Sequence, residues 1–301
     1  MQQPSEAREL LVTSLRRACI EIDELLDRAL TPPGDSRDRL YHAMRHAAIG
    51  GGKRLRPLLV IASADLLGAP RQSALRAGLA VECIHVHSLI HDDLPCMDDD
   101  DLRRGKPTVH KAFDEATAVL AGDALHALAF QVLADPLTHA DGNVRSELTR
   151  DLAIAAGAAG MAGGQMLDLV PEQMMDVDGV IRLQRLKTGA LIGWSVEAGA
   201  ILAGAPHHSR MSLRGYGQCL GLAFQIADDL LDAEGAEARV GKRLRKDGEA
   251  GKASFVSLLG AAGARERATI LIDQAKDHLR PFGPGASLLH AIADFVVARD
   301  H

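Results

Sequence analysis

Apolar residues recur every three to four positions along most of this 301-residue chain, which is the periodicity of helices with one buried face. Segments rich in Gly and Pro separate these stretches, and none is long enough to divide two domains. The pattern predicts one all-α domain over residues 1–301, with about ten or more mostly antiparallel helices around a central cavity and residues 1–8 as a flexible tail. The predicted helices span residues 7–30, 37–49, 55–67, 72–91, 115–134, 145–170, 178–202, 209–232, 252–276 and 286–299.

The composition favours helix packing, because hydrophobic residues make up 47% of the chain and aromatic residues only 3%. A net charge of -6 argues against nucleic acid as a partner. The four cysteines show no CxxC spacing, which argues against disulfides and zinc and favours a reducing cytoplasm. No signal peptide is evident at the N-terminus, and no uninterrupted apolar run approaches about 18 residues, so we expect no membrane span.

Two clusters of aspartate follow apolar helical runs. The stretch "IHDDLPCMDDDDLRRG" places six aspartates within ten residues, and "FQIADDLLD" places three within five. Such like charges repel unless a cation joins them. Asp228 and Asp232 share a helix face, whereas Asp92 and Asp98 converge only if the chain turns near Pro95. Oxygen ligands without His or Cys suit Mg²⁺, which usually binds few carboxylates together with phosphate oxygens.

Cationic residues accompany both acidic clusters, and together they predict a site for a diphosphate, since Arg and Lys are the side chains that bind phosphate. The cations are Lys53, Arg56, Arg103, Arg104, Lys187, Lys242 and Lys252. A lone acidic run is more often a solvated surface, but two runs attached to apolar helices argue against that interpretation. The first run also lacks the alternating ligands and terminal Glu of an EF-hand.

The motifs "GGKRLRP", "SLIHDDLPCMDDDDLRRGKPTVH", "LAGDAL", "GGQMLDL", "KTGALI" and "GLAFQIADDLLD" occur in this order along the chain. In sequence and order they resemble the trans-isoprenyl diphosphate synthases, or polyprenyl synthetase family, and among them the bacterial farnesyl-forming members. The similarity extends from about residue 10 to about residue 299. The resemblance implies the isoprenoid synthase fold and a homodimer.

The resemblance also implies an enzyme, a prenyltransferase that condenses isopentenyl diphosphate with dimethylallyl and then geranyl diphosphate to give farnesyl diphosphate. It implies three Mg²⁺, two bound by Asp92 and Asp98 and the third by Asp228. The implied catalytic residues are Asp92, Asp93, Asp98, Arg103, Lys187, Asp228 and Asp229. Those implied for the allylic diphosphate are Arg103, Lys187, Thr188, Gln225, Lys242 and Lys252, and those for isopentenyl diphosphate are Lys53, Arg56, His85 and Arg104.

Two of these assignments have structural alternatives. A lone His on an apolar helix is usually a core residue, but His85 precedes Asp92 by seven residues, about two turns, and so shares its face. Asp168 in "GGQMLDL" is either a buried carboxylate on a helix surface or an outer partner of the metals. The segment "GKRLRKDGEAGK" is a candidate lid, and an ordinary mobile loop is the alternative.

The length of the product depends on the side chains that precede the first aspartate cluster, here His87 and Ser88. Similar farnesyl-forming sequences often carry a large aromatic residue at the position of His87, so geranylgeranyl diphosphate is an alternative product. A terpene cyclase is another alternative, but its second metal motif usually mixes Asn, Ser and Glu. A non-catalytic partner subunit generally lacks one of the acidic or basic elements, all of which are present here.

Overall fold

The computed structural model describes residues 4–169, 176–234 and 254–298, and these are almost entirely helical. The N-terminal half comprises α1 Pro4–Ala29, α2 Asp38–Ala48, α3 Leu55–Leu67, α4 Arg71–Asp92, β1 Leu102–Arg103, β2 Lys106–Pro107, α5 Val109–Ala112 and α6 Glu115–Ala134. The C-terminal half comprises α7 Gly142–Ala156, α8 Met161–Leu169, α9 Val177–Gln184, a π-helix Arg185–Gly189, α10 Ala190–Leu202, α11 His207–Glu234, α12 Phe255–Leu279, a 3₁₀-helix Arg280–Ala286 and α13 Ser287–Ala298. The predicted all-α class is confirmed.

Helix α10 lies at the centre of the molecule, since it packs against α3, α4, α7 and α11 and is buried along almost its whole length. At Gly199 its backbone lies directly on α3, where a Cβ would collide with Ser63 and with the backbone of Ala64. Only glycine permits this approach. The resulting close contact fixes α10 between the helices that carry the site.

Helix α11 is held against the C-terminal helices by a buried tyrosine. Tyr216 is fully buried, and its hydroxyl donates to the carbonyl of Leu289 at 2.8 Å. Burial raises the pKa of Tyr216, so the phenol stays neutral and acts as a donor. The position of α11, and with it the second aspartate cluster, therefore depends on α13.

The structure differs from the predicted elements in four places. Helix α1 begins at Pro4, inside the segment 1–8 predicted as a tail. The predicted helix 145–170 is two helices, because Gly157 adopts an extended conformation and ends α7. The predicted helix 178–202 contains the π-helix. The short hairpin and α5, which follow the first aspartate cluster, have no counterpart in the prediction.

Three helical stretches have the length and composition to cross a membrane, namely Glu115–Ala134, Gly142–Leu169 and Phe255–Ala298. Each stretch contains charged residues, so none of the three forms an uninterrupted apolar run of the kind that the sequence prediction required. The second and third contain breaks, at Gly157 and in the 3₁₀-helix. The first is α6, and 44% of its apolar window is buried inside the bundle. The absence of a membrane span stays a prediction.

Candidate active site

The first aspartate cluster folds back on the end of α4. The amide of Asp98 donates to the carbonyl of Asp92 at 2.9 Å, and Asp99 takes a left-handed conformation with φ 49°. The turn therefore brings Asp98 beside Asp92, in the arrangement that the six-residue spacing requires. Burial raises the pKa of Asp92 to about 6, Lys187 opposes this rise, and Asp98 adds to it. A cation between Asp92 and Asp98 would offset both the free-energy cost of burying the Asp92 carboxylate and the repulsion between the two charges.

Asp93, the residue after Asp92, pairs with an arginine. Its carboxylate is 3% exposed and accepts from Arg103 Nε at 2.7 Å and from Arg103 Nη2 at 2.6 Å. Asp100 lies 3.7 Å from the same guanidinium. Two-pronged contacts of this kind fix the plane of a guanidinium. The structure therefore shows Asp93 paired with Arg103, and its assignment to the catalytic residues stays a prediction.

The loop that contains "GGKRLRP" is anchored by an arginine that sequence reasoning passed over. Arg54 is 2% exposed, has φ 48°, and pairs with Glu82 at 2.6 Å and with Asp23 at 2.5 Å. It also donates to the carbonyl of Ala48. The buried cation joins α1, the loop and α4. Its neighbours in sequence, including Lys53, are thereby held at a fixed position.

Arg104 lies against the same loop. A Cβ at Gly52 would come within 2.6 Å of its guanidinium, so the glycine leaves the room that Arg104 occupies. Burial, and after it the charges of Arg56 and Arg104, hold the pKa of His85 well below its ordinary value. His85 is consequently neutral near pH 7. Three of the four residues predicted for isopentenyl diphosphate thus lie within electrostatic reach of one another. The fourth, Lys53, lies with its Nζ 5.4 Å from the centre of the Phe295 ring.

Lys187 and Thr188 project from the π-helix, a wide turn that often marks functional sites. Lys187 pairs with Asp168 at 2.7 Å, so Asp168 is linked to the predicted site through this lysine, and its role as an outer partner of the metals stays a prediction. The backbone of the π-helix lies directly against α8 at Gly164, where a Cβ would collide with Lys187. Helix α8 therefore determines the position of Lys187.

A chain of hydrogen bonds links Thr188 to the start of α12. Thr188 Oγ1 donates to Gln225 at 2.9 Å, Gln225 donates to Asp229 at 2.9 Å, and Asp229 accepts the amide of Phe255 at 2.9 Å. Asp229 is 6% exposed. Both of its oxygens are engaged within the protein, so its place in the structure is that of an anchor. Asp228, one residue earlier on α11, is more exposed.

A cavity of about 390 Å³ gathers residues from both predicted diphosphate groups. The predicted residues that line it are Arg56, His85, His87, Ser88, Asp92, Lys187 and Thr188. Gln165 also lines it, and neither amide atom of Gln165 has a hydrogen-bond partner although both are buried. Sequence reasoning missed Gln165, and its place in "GGQMLDL", three residues before Asp168, was the available signal. Lys242 and Lys252 lie outside the described residues.

A cluster of rings, inclined to one another by about 60°, surrounds His87. Its imidazole centre lies 4.5 Å from that of His91 and 4.9 Å from that of His126, which in turn lies 5.1 Å from the ring of Phe130. Burial, and after it His91 and His126, lower the pKa of His87 to about 4. The neutral ring is therefore backed by aromatic groups from α6 that are remote in sequence.

Comparison with known proteins identifies the family. The family model for polyprenyl synthetase matches residues 37–279. A farnesyl diphosphate synthase of Escherichia coli (strain K12) is 43% identical over 290 residues, covering 94% of this chain and 97% of that protein. The crystal structure of an FPP/GFPP synthase from Zymomonas mobilis is 52% identical with a TM-score of 0.89, covering 97% of this chain and 100% of that one.

A geranyltransferase from Helicobacter pylori, crystallised with magnesium and isoprenyl diphosphate, is 30% identical with a TM-score of 0.82, covering 99% of this chain and 97% of that one. The chain belongs to the polyprenyl synthetase family. It is a prenyltransferase, as the resemblance of its motifs implies.

Proposed function

We propose that this enzyme condenses isopentenyl diphosphate with dimethylallyl diphosphate and then with geranyl diphosphate, head to tail, to give farnesyl diphosphate. The observation that carries the proposal is the cavity that Asp92 and Lys187 line together with Arg56 and His85. One pair suits a metal-bound diphosphate and the other a diphosphate without metal. A chain with these two unlike sites in the polyprenyl synthetase family fits a two-substrate prenyl transfer.

The donor set fits Mg²⁺. In the described ranges no three carboxylate, imidazole or thiol groups are gathered closely enough to hold a cation by themselves. Mg²⁺ is commonly bound by one or two carboxylates while phosphate oxygens and waters complete its shell. We propose three ions, two at Asp92 and Asp98 and one at Asp228, which when bound would act as Lewis acids on the allylic diphosphate.

The protein's own groups divide the work between the two diphosphates. Negative charge develops on the allylic leaving group as its C–O bond breaks, and Lys187 and Arg103 stabilise this charge. Asp168 holds Lys187 in place for this task, and Asp93 holds Arg103. We propose that Lys242 and Lys252 assist them. Isopentenyl diphosphate must keep its own diphosphate, so Lys53, Arg56, Arg104 and neutral His85 hold it with hydrogen bonds and no metal. The released pyrophosphate is the proposed base for the final proton loss.

The cluster of rings around His87 supports a C15 product over a C20 product. Each added isoprene unit needs about one helical turn of depth, roughly 5.4 Å. The side chain of His87 alone is small for a group that must block chain growth, but the rings of His126 and Phe130 add aromatic surface next to it. We propose that these rings block further growth of the prenyl product once farnesyl diphosphate has formed.

We also propose a homodimer in the cytoplasm. Helix α6 carries two neighbouring large apolar side chains, Val119 and Leu120, which are 40% and 57% exposed. Such side chains are common at subunit interfaces. Light scattering on a size-exclusion column should give twice the mass of the 32.0 kDa chain. A monomer at micromolar concentration would contradict the proposed dimer.

The first experiment is product analysis with isopentenyl and dimethylallyl diphosphates, with and without Mg²⁺. We expect a C15 alcohol after dephosphorylation, formed only with Mg²⁺. A C20 alcohol would keep the chemistry and replace the product by geranylgeranyl diphosphate. A folded enzyme that forms no prenyl product with any allylic diphosphate would overturn the proposal.

A further inference from the structure

A second cleft, of about 480 Å³, lies on the opposite side of the π-helix from the active-site cavity. Residues from α7, α10 and α11 line it together with Arg185, Gly189 and Ala190 of the π-helix region. None of its lining residues lines the active-site cavity. Its volume falls in the range of small-molecule sites, about 300–1,000 Å³.

The charges in this cleft leave one cation unpaired. Arg150 donates to Asp151 at 2.7 Å, and Arg214 Nε donates to Glu197 at 3.2 Å, so these two guanidiniums are neutralised locally. Arg185 is exposed and has no hydrogen bond or ion pair with any described residue. Its guanidinium has five donors and no acceptor, so an anion that entered the cleft would find donors there that no described side chain uses.

A second unpaired donor lies in the wall of the cleft. Trp194 is 4% exposed, and its indole Nε1 is buried without a hydrogen-bond partner. A buried donor without a partner costs about 1–3 kcal/mol. An acceptor that reached Nε1 after a small movement would remove this cost. Ile154 and Ala155 complete the wall with apolar surface.

We propose that this cleft binds a small amphipathic anion, with its charged group on Arg185 and its apolar body against Trp194 and Ile154. The site is coupled to catalysis by position. Arg185 and Gly189 face the cleft, and Lys187 and Thr188 of the same π-helix face the active-site cavity. Occupation of the cleft therefore changes how Lys187 is presented to the allylic diphosphate.

Trp194 is the only tryptophan of the chain and so provides a direct probe. The ligand used would be 8-anilinonaphthalene-1-sulfonate, an amphipathic anion that accepts energy from tryptophan. We expect saturable energy transfer from Trp194, with Kd raised about tenfold or more in Arg185→Gln, because a charge-assisted contact is lost. Arg182→Gln is the matched control, because it removes the same charge from an exposed residue that lies outside the cleft.

Three outcomes would overturn the proposal: no saturable energy transfer, equal Kd in Arg185→Gln and Arg182→Gln, or a Kd that rises in Arg56→Gln as much as in Arg185→Gln. The last result would place the probe in the active-site cavity. These readouts do not depend on the proposed reaction. The coupling between the cleft and Lys187 rests on the proposed reaction. If the two sites are coupled, the probe should alter KM for the allylic diphosphate in the unsubstituted enzyme and not in Arg185→Gln. An unchanged KM at saturating probe would overturn the coupling.

Discussion

The carboxylate of Asp93 holds the guanidinium of Arg103 in a two-pronged contact, with Nε at 2.7 Å and Nη2 at 2.6 Å, while the preceding residue Asp92 faces the cavity. Two adjacent aspartates thus have different tasks. One is placed to meet the proposed cation, and the other holds the half-buried side chain of Arg103 in one orientation.

Substitution separates these tasks. Asp93→Asn should lower kcat/KM for the allylic diphosphate roughly tenfold or more, because one charge-assisted contact to Arg103 is lost. The Mg²⁺ concentration for half-maximal rate should not change. Asp92→Asn should raise that concentration. Asp101→Asn is the control, since Asp101 is exposed and pairs at the surface with Lys111, 2.9 Å away. An equal shift of the Mg²⁺ concentration for half-maximal rate in Asp92→Asn and Asp93→Asn would contradict the division of roles.

The buried pair of Arg54 and Glu82 should matter for both stability and isopentenyl diphosphate. Glu82→Gln removes one of the two carboxylates that neutralise Arg54, and we expect about 2–4 kcal/mol lower free energy of unfolding. KM for isopentenyl diphosphate should rise while KM for the allylic substrate stays the same. Glu21→Gln is the control, because its pairs with Arg17 and Arg71 lie nearer the surface and should contribute about 1 kcal/mol or less. Equal changes in both KM values would indicate a general loss of structure.

Two glycines of α10 should respond oppositely to a methyl group. Gly199→Ala places a Cβ against the backbone of α3, and we expect a loss of about 1–3 kcal/mol or more in unfolding free energy. Gly193→Ala meets nothing within 4 Å, so it should be neutral or stabilising by up to about 1 kcal/mol. Chemical denaturation of the two variants tests this. A stable Gly199→Ala enzyme would show that α3 and α10 can separate.

His87 should make stability depend on pH. Its pKa falls from 6.5 to about 4 on folding, so below pH 6.5 the unfolded chain binds more protons than the native protein. Stability is then lost as the pH falls from 6.5 towards 4, by about 2 kcal/mol from this group at pH 5. His87→Gln should flatten this part of the profile, measured without Mg²⁺. His42→Gln, at an exposed position, should leave it unchanged. An unaltered slope in His87→Gln would refute the assignment.

The sequence predicted helix bounds well where local signals agree with periodicity. Helix α6 begins at Glu115 as predicted, because the side chain of Asp114 accepts the amide of Thr117 at 2.6 Å and caps the helix. Helix α3 also has the predicted bounds. The break at Gly157 and the π-helix were not predictable, since small residues permit both a helix and its interruption. At Gly221 and Gly164 the decision comes from close backbone contacts with distant segments.

The gathering of residues was predictable where motifs name them, and less so where a partner is remote. Two motifs pointed to Asp92 and Lys187, and these line one cavity. The motif "GGKRLRP" could not show that Arg54 is its buried cation, because Glu82 lies 28 residues away. The same holds for His126 behind His87. Periodicity gives the face of a helix, but only packing shows which side chain the neighbouring helix places there.

The contact between Lys53 and Phe295 joins two segments that lie far apart along the chain. Phe295 lies in α13, the last described helix, and its ring meets a cation proposed to hold a substrate. A substitution that shifts α13 would therefore move one neighbour of the proposed isopentenyl diphosphate site. Variants of α13 should accordingly be judged by KM for isopentenyl diphosphate as well as by their stability.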